Sequence, residues 1–207
     1  LIASFVCISR KKPYHPMTER RRILLIGRRK SVLISLSEAL QQAGFVAEWT
    51  DDISSADIDY RANEFDLISF GRGVDDVTRS HLQLLYQTQN PAIRFVRGLA
   101  PIIPLLVDQI KAAFLEKPEN ESVLQDFQIT RANDIQMDLT LREDCHLELN
   151  LYSLNPFFKV HQTQHRAQKA RKGSFTFSLD RKQLGWLGKH FIVLKINGDE
   201  IEIRQIA

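Results

Sequence analysis

The chain has 207 residues, 43% of them hydrophobic and 26% charged, which excludes disorder as the dominant state and leaves room for one large domain or two small ones. Its net charge of +3 is too mild to demand a polyanionic partner, so nucleic-acid binding is not implied, although RKK, RRR and RRK clusters all fall before residue 31. Cys7 and Cys145, without CxxC spacing, suggest neither a disulfide framework nor a zinc site and suit a reducing cytoplasm; no apolar run approaches the roughly 20 residues that span a bilayer.

Residues 1–16 place a short apolar run before the basic cluster, the reverse of a secretory signal. With a conventional domain start after Met17, they read as an extension arising from start-site choice, or alternatively as a short strand that docks on a partner.

The stretch Arg22 to Asp52 organises the rest of the chain. Ile23 to Ile26 form an apolar strand, Gly27-Arg28-Arg29-Lys30-Ser31 a loop, and Ser31 is placed to N-cap a helix. Val32, Leu36, Ala39, Leu40 and Ala43 recur at three- and four-residue intervals, which predicts one buried stripe, and Gly44 stands at C′. Phe45 to Trp49 is a second strand, a weaker helix runs from Asp51-Asp52 toward Asn63, and Phe65 to Phe70 is a third strand closing on Gly71-Arg72-Gly73. Asp75 to Gln89 is helical, Ile93 to Val96 a fourth strand, and Pro101 to Leu115 a last helix with prolines in its first turns.

Four successive βα units predict a short doubly wound parallel sheet with helices on both faces, in strand order 2-1-3-4. Such sheets bind ligands outside the carboxyl ends of their strands, at the switch point between the first and third. That rim carries the candidate anion-binding residues Gly27, Arg28, Arg29, Lys30, Ser31, Gly71, Arg72, Gly73 and Arg97. A phosphate-like or acidic partner at these cations is one reading. Solvated arginines snorkelling over the sheet edge is the other. GRRKS matches neither GxGxxG nor the Walker pattern, so no cofactor is expected.

From Arg22 to Lys117 the sequence resembles a response-regulator receiver domain, with FDLISFG in the place of the phospho-acceptor strand and FVRGLAPIIPLLVDQIKAAFLEK similar to the final strand and helix. The resemblance implies an acidic, Mg²⁺-holding pair after the first strand, where this chain has Gly27-Arg28-Arg29. It puts the phospho-acceptor aspartate at Gly71 and the family's lysine at Arg97, with one βα unit fewer than the usual five. Arginines cannot build a carboxylate cation site and glycine cannot accept a phosphoryl group, so the implied protein is a degenerate receiver without phosphorelay chemistry.

Residues 17–117 thus form the α/β domain, 118–121 a polar linker and 122–207 a second, all-β domain. In the latter the period changes to two: Val123, Phe127, Ile129; then Ile135, Met137, Leu139, Leu141; then Cys145, Leu147, Leu149, Leu151, each strand with one core face. Phe157 to Thr163, the Phe175-Phe177-Leu179 run, and His190 to Ile196 paired with Glu200 to Ile206 across Asn197-Gly198 complete seven strands, enough for an Ig-like β-sandwich. The run KGSFTFSLDRKQLGWLGKHFIVLKINGDEIEIRQI is similar to the closing strands of Ig-like modules at the C-termini of some secreted bacterial proteins.

Lys159 to Lys172 reads as a basic inter-strand loop; its His161 and His165 share helical spacing but lack a third ligand, so no metal is expected. Trp186, between two glycines, projects into the core or a partner groove. An enzyme would need an activated nucleophile or paired carboxylates at a strand end, and Asp51-Asp52 is the only acidic pair on the rim. The residues are better suited to a non-catalytic scaffold or signalling adaptor with a protein partner or self-association. The alternative is a nucleotide- or phosphate-ligand sensor or enzyme using the rim.

Overall fold

The computed structural model describes residues 20–131, 134–155, 160–180 and 188–206; residues 1–16 and Trp186 lie outside them. The α/β part runs β1 (Arg22–Ile26), α1 (Lys30–Gln42), β2 (Val46–Thr50), α2 (Ala56–Asp59), a 3₁₀ turn (Ala62–Glu64), β3 (Leu67–Phe70), α3 (Asp76–Gln89), β4 (Arg94–Arg97) and α4 (Ile103–Leu115). Its sheet is parallel throughout in the order β2-β1-β3-β4, the order the βα pattern predicts. Successive β1 side chains serve opposite faces, as a two-residue period requires. Ile23 and Leu25 pack with α1 and α4, while Leu24 and Ile26 pack with α2, α3 and the 3₁₀ turn.

Local boundaries differ from expectation in three places. Arg29, not Ser31, is the N-cap of α1 and makes no side-chain cap bond, which leaves Ser31 exposed in the first turn. The buried stripe is Leu33, Leu36, Ser37 and Leu40, and Ala43 is an exposed C-cap before Gly44, whose φ of +92° suits glycine. The expected Asp51–Asn63 helix starts later, because Asp52 accepts from the amides of Ser54 and Ser55 and turns the chain there, and it is broken in two where Tyr60 and Arg61 take extended backbone.

The β part contains β5 (Leu124–Arg131), β6 (Ile135–Leu141), β7 (Cys145–Leu154), β8 (Val160–Ala170), β9 (Gly173–Leu179), β10 (Lys189–Ile196) and β11 (Glu200–Gln205). One antiparallel sheet has the order β5-β6-β9 and the other β11-β10-β7-β8. Their inner faces share one core, which includes Met137, Leu139, Leu147, Leu149, Phe177, Ile192 and Leu194. Asn197 (φ 53°) and Gly198 (φ 77°) both take left-handed backbone at the β10–β11 turn, as a type I′ hairpin demands.

Two expectations about this part are corrected. The basic Lys159–Lys172 segment is not a loop: Val160 to Ala170 is a strand paired along its length with β7, with a bulge opposite Leu149 and Asn150. The helical spacing of His161 and His165 therefore has no meaning, since four residues of strand span about 13 Å. Second, β7 has no single core face. Leu149 and Leu151 enter the shared core, while Tyr152 and Leu154 on the other side pack under Ala100, Ile102 and Leu105 at the start of α4, together with Phe191 and Val193 of β10. Helix α4 is thus enclosed between the parallel sheet and the β11-β10-β7-β8 sheet. Residues 116–123 run between α4 and β5, tied down by a Lys117–Asp199 ion pair (2.9 Å) and by Glu200, which accepts from Ser122 Oγ and the Val123 and Leu124 amides.

Candidate functional site

Three of the parallel strands end on glycine: β1 at Gly27, β3 at Gly71 and β4 at Gly98. Each glycine still donates its amide to the neighbouring strand, at 3.1 Å to Thr50 O, 2.8 Å to Ile26 O and 2.9 Å to Phe70 O. The ladder therefore continues to its last rung while these three positions add no side chain above it. A Cβ on Gly27 would meet Leu33 Cδ2 at 3.3 Å, and one on Gly98 would meet Leu106 Cδ2 at 3.0 Å, so a side chain at either position would require that leucine to give by a few tenths of an ångström.

Above the glycines lies a cavity of about 450 Å³. Val32 and Leu33 of α1, Leu106 of α4, and Ala100 and Pro101 give it an apolar wall; Arg28, Arg29 and Arg72 stand at its mouth. Arg28 Nε donates to Gly73 O (2.6 Å) and its stem packs on that glycine, which leaves the end of its guanidinium at the opening. Asp75 stands beside it, its carboxyl held below the usual carboxylate range by the Thr78 amide and hydroxyl, with the Arg28 charge adding to the effect.

Of the nine rim residues expected from sequence, Gly27, Arg28, Arg29, Gly71, Arg72 and Gly73 line this cavity. The other three do not. Lys30 Nζ lies 5.4 Å from the centroid of the Trp49 ring, Ser31 is exposed on α1, and Arg97 pairs with Asp76 at 3.1 Å. The apolar wall of Val32, Leu33, Ala100, Pro101 and Leu106 escapes a reading of the sequence, since each residue has the spacing of an ordinary core or helix-start position. Asp51 and Asp52 stand after β2, outside the cavity, with Asp52 engaged by Ser54 and Ser55. Among the described residues no group of His, Cys, Asp and Glu is placed to hold a metal, and no helix is long and apolar enough to cross a membrane. Cys145 is a buried free thiol, its pKa raised by that burial.

No family model and no curated protein matches the chain. Among solved structures it is similar to β-glucosidase EmGH1 of Erythrobacter marinus (14% identity, TM-score 0.28, 90% of this chain and 46% of that one). It is also similar to OgpA of Akkermansia muciniphila (10%, 0.30, 91% and 91%) and to β-glucosidase 3B of Thermotoga neapolitana in complex with α-D-glucose (9%, 0.34, 93% and 52%). The chain spans about half the length of the two β-glucosidases. Likenesses at these TM-scores carry no argument about fold or activity.

Proposed function

We propose that the chain is a non-catalytic binding protein of the signalling-adaptor kind, a receiver-like α/β layer joined to an Ig-like β part, whose sheet rim docks an anionic group without reacting with it. The observation that carries this reading is the composition of the cavity, which among the described residues has three arginines, four glycines and no carboxylate, at the place where parallel sheets bind their ligands. In a receiver the same rim would need acids for Mg²⁺ and an aspartate at Gly71. The Ig-like reading is supported by the partition of strands, the first, second and fifth of the β part in one sheet and the third, fourth, sixth and seventh in the other. Incubation with acetyl phosphate and Mg²⁺ tests the loss of the switch: the intact mass stays unchanged, and a chain that gains a phosphoryl group refutes the proposal.

A second reading, a sensor of a small organic anion, is favoured by the cavity's volume, which falls within the roughly 300–1,000 Å³ of small-molecule sites, and by its apolar wall. On that reading phenyl phosphate binds more tightly than inorganic phosphate, Arg28→Ala with Arg72→Ala weakens it about tenfold or more, and binding falls with added salt. Equal binding of the two phosphates removes this reading and leaves the adaptor reading standing.

A further inference from the structure

Strand β8, which contributes no residue to the rim cavity, has 11 residues, the longest strand among those described. Among the described residues it is the outermost strand of its sheet and pairs with β7 alone. Alternate residues of an antiparallel strand turn their N–H and C=O groups away from the partner, so about half the backbone groups of β8 face solvent as an unused ladder. Val160, His161, Gln162 and Thr163 are four consecutive exposed residues, so this half of the strand has both faces open as well as one edge. The chain carries no Asp or Glu from Pro156 to Leu179, while it carries Lys159, Arg166, Lys169, Arg171 and Lys172 there. Just beyond the strand, Asp144 accepts from the Lys172 amide at 2.8 Å.

Charge decides what such an edge takes. A second copy of β8 would set Arg166 and Lys169 against the same two cations, with Lys159, Arg171 and Lys172 flanking each copy in sequence. Nucleic acid would want large aromatic platforms or a helix for a groove, and Val160 to Ala170 contains no Phe, Tyr or Trp. An extended acidic segment meets both demands, its backbone continuing the ladder and its carboxylates lying beside the cations. We propose that β8 is a docking edge for an acidic, extended peptide segment of a partner protein, which adds to the β11-β10-β7-β8 sheet as a further strand.

A fluorescein-labelled ten-residue peptide of alternating Thr and Glu is the probe, read by anisotropy with the whole chain. Saturable binding that weakens with salt is expected. It weakens about tenfold or more in the Lys169→Glu/Arg171→Glu/Lys172→Glu variant, whose three positions are exposed, and is lost when the peptide is N-methylated throughout. Amides of residues 160–164 exchange more slowly when the peptide is bound. The N-methylated peptide needs no altered protein, so the test stands even if the variant is unstable. The proposal is overturned by absence of binding, by equal binding of the N-methylated peptide, by indifference to charge reversal, by a twelve-nucleotide oligo-dT binding as tightly, or by dimerisation of the chain through this edge. None of these results touches the rim cavity.

Discussion

Asp108 is the only buried carboxylate among the described residues, and it lies where the two halves of the fold meet. Its Oδ1 pairs with Lys195 Nζ of β10 at 2.9 Å, and its Oδ2 accepts from the Tyr152 hydroxyl of β7 at 3.3 Å, so one side chain of α4 engages two strands of the facing sheet. Burial, with the Asp108 charge adding to it, pushes the Tyr152 phenol up, which keeps it a donor. A charge pair taken out of water contributes less than its Coulomb attraction suggests, because desolvation offsets it, but leaving one member alone is costly. Asp108→Ala therefore destabilises by about 2–3 kcal/mol, below the roughly 3–5 kcal/mol of a fully buried pair because Lys195 keeps some contact with water. The double replacement Asp108→Leu/Lys195→Met recovers most of that loss. Urea unfolding of the two variants checks it, and a double variant no better than the single one would show that the pair itself stabilises the fold.

At the scale of elements, α3 is the helix whose limits could be read from the sequence, because its ends are built from local chemistry. Asp75 accepts from the Thr78 amide and hydroxyl, both at 2.9 Å, and Asn90 before Pro91 stops it. The folded state holds the Asp75 carboxyl below its ordinary value of about 3.9, so the folded chain binds fewer protons than the unfolded one between the two pKa values. Its contribution is thus present above about pH 4 and lost as pH falls through the folded value. Asp52 and Asp138, lowered by bonds from Ser54 and Thr176, act in the same sense. Thermal midpoints read by circular dichroism fall steeply from about pH 4 to about pH 2, and Asp75→Asn, which still caps but does not titrate, makes that fall shallower. An unchanged slope would mean the cap does not report folding. Elements without such local chemistry leave a weaker trace in sequence. The first turn of α1 has no side-chain cap, so Ser31 suggested a start that Arg29 occupies instead. Strand β8 has no hydrophobic period because Val160 to Thr163 are exposed on both faces, and periodicity is what separates strand from loop in sequence. The wall of the rim cavity was hidden for the opposite reason: Leu33 and Leu106 have the spacing of core residues, and lining a cavity leaves no separate trace in sequence.

For the whole molecule the decisive fact is the apolar layer between α4 and the sheet of β7 and β10. One clue to it is legible in the chain itself: His190 to Ile196 is nearly continuous in apolar residues, the mark of a strand covered on both faces and not of a one-sided antiparallel strand. Ile102, Leu105, Leu154, Phe191 and Val193 are all buried in that layer. At roughly 1.5–3 kcal/mol for each such side chain, their burial is on the order of 10 kcal/mol, comparable with the entire net stability of an ordinary domain. Neither half would keep that surface from water alone, so the two melt together. Calorimetry of the whole chain shows a single endotherm whose van't Hoff and calorimetric enthalpies agree. Leu105→Ala, which opens a void in the layer at a cost of about 2–5 kcal/mol, moves the whole transition down without splitting it. Two resolved endotherms in the unaltered protein would mean that the layer is a contact between independent bodies, and that whatever binds at the arginine rim or along β8 is felt only by the half that binds it.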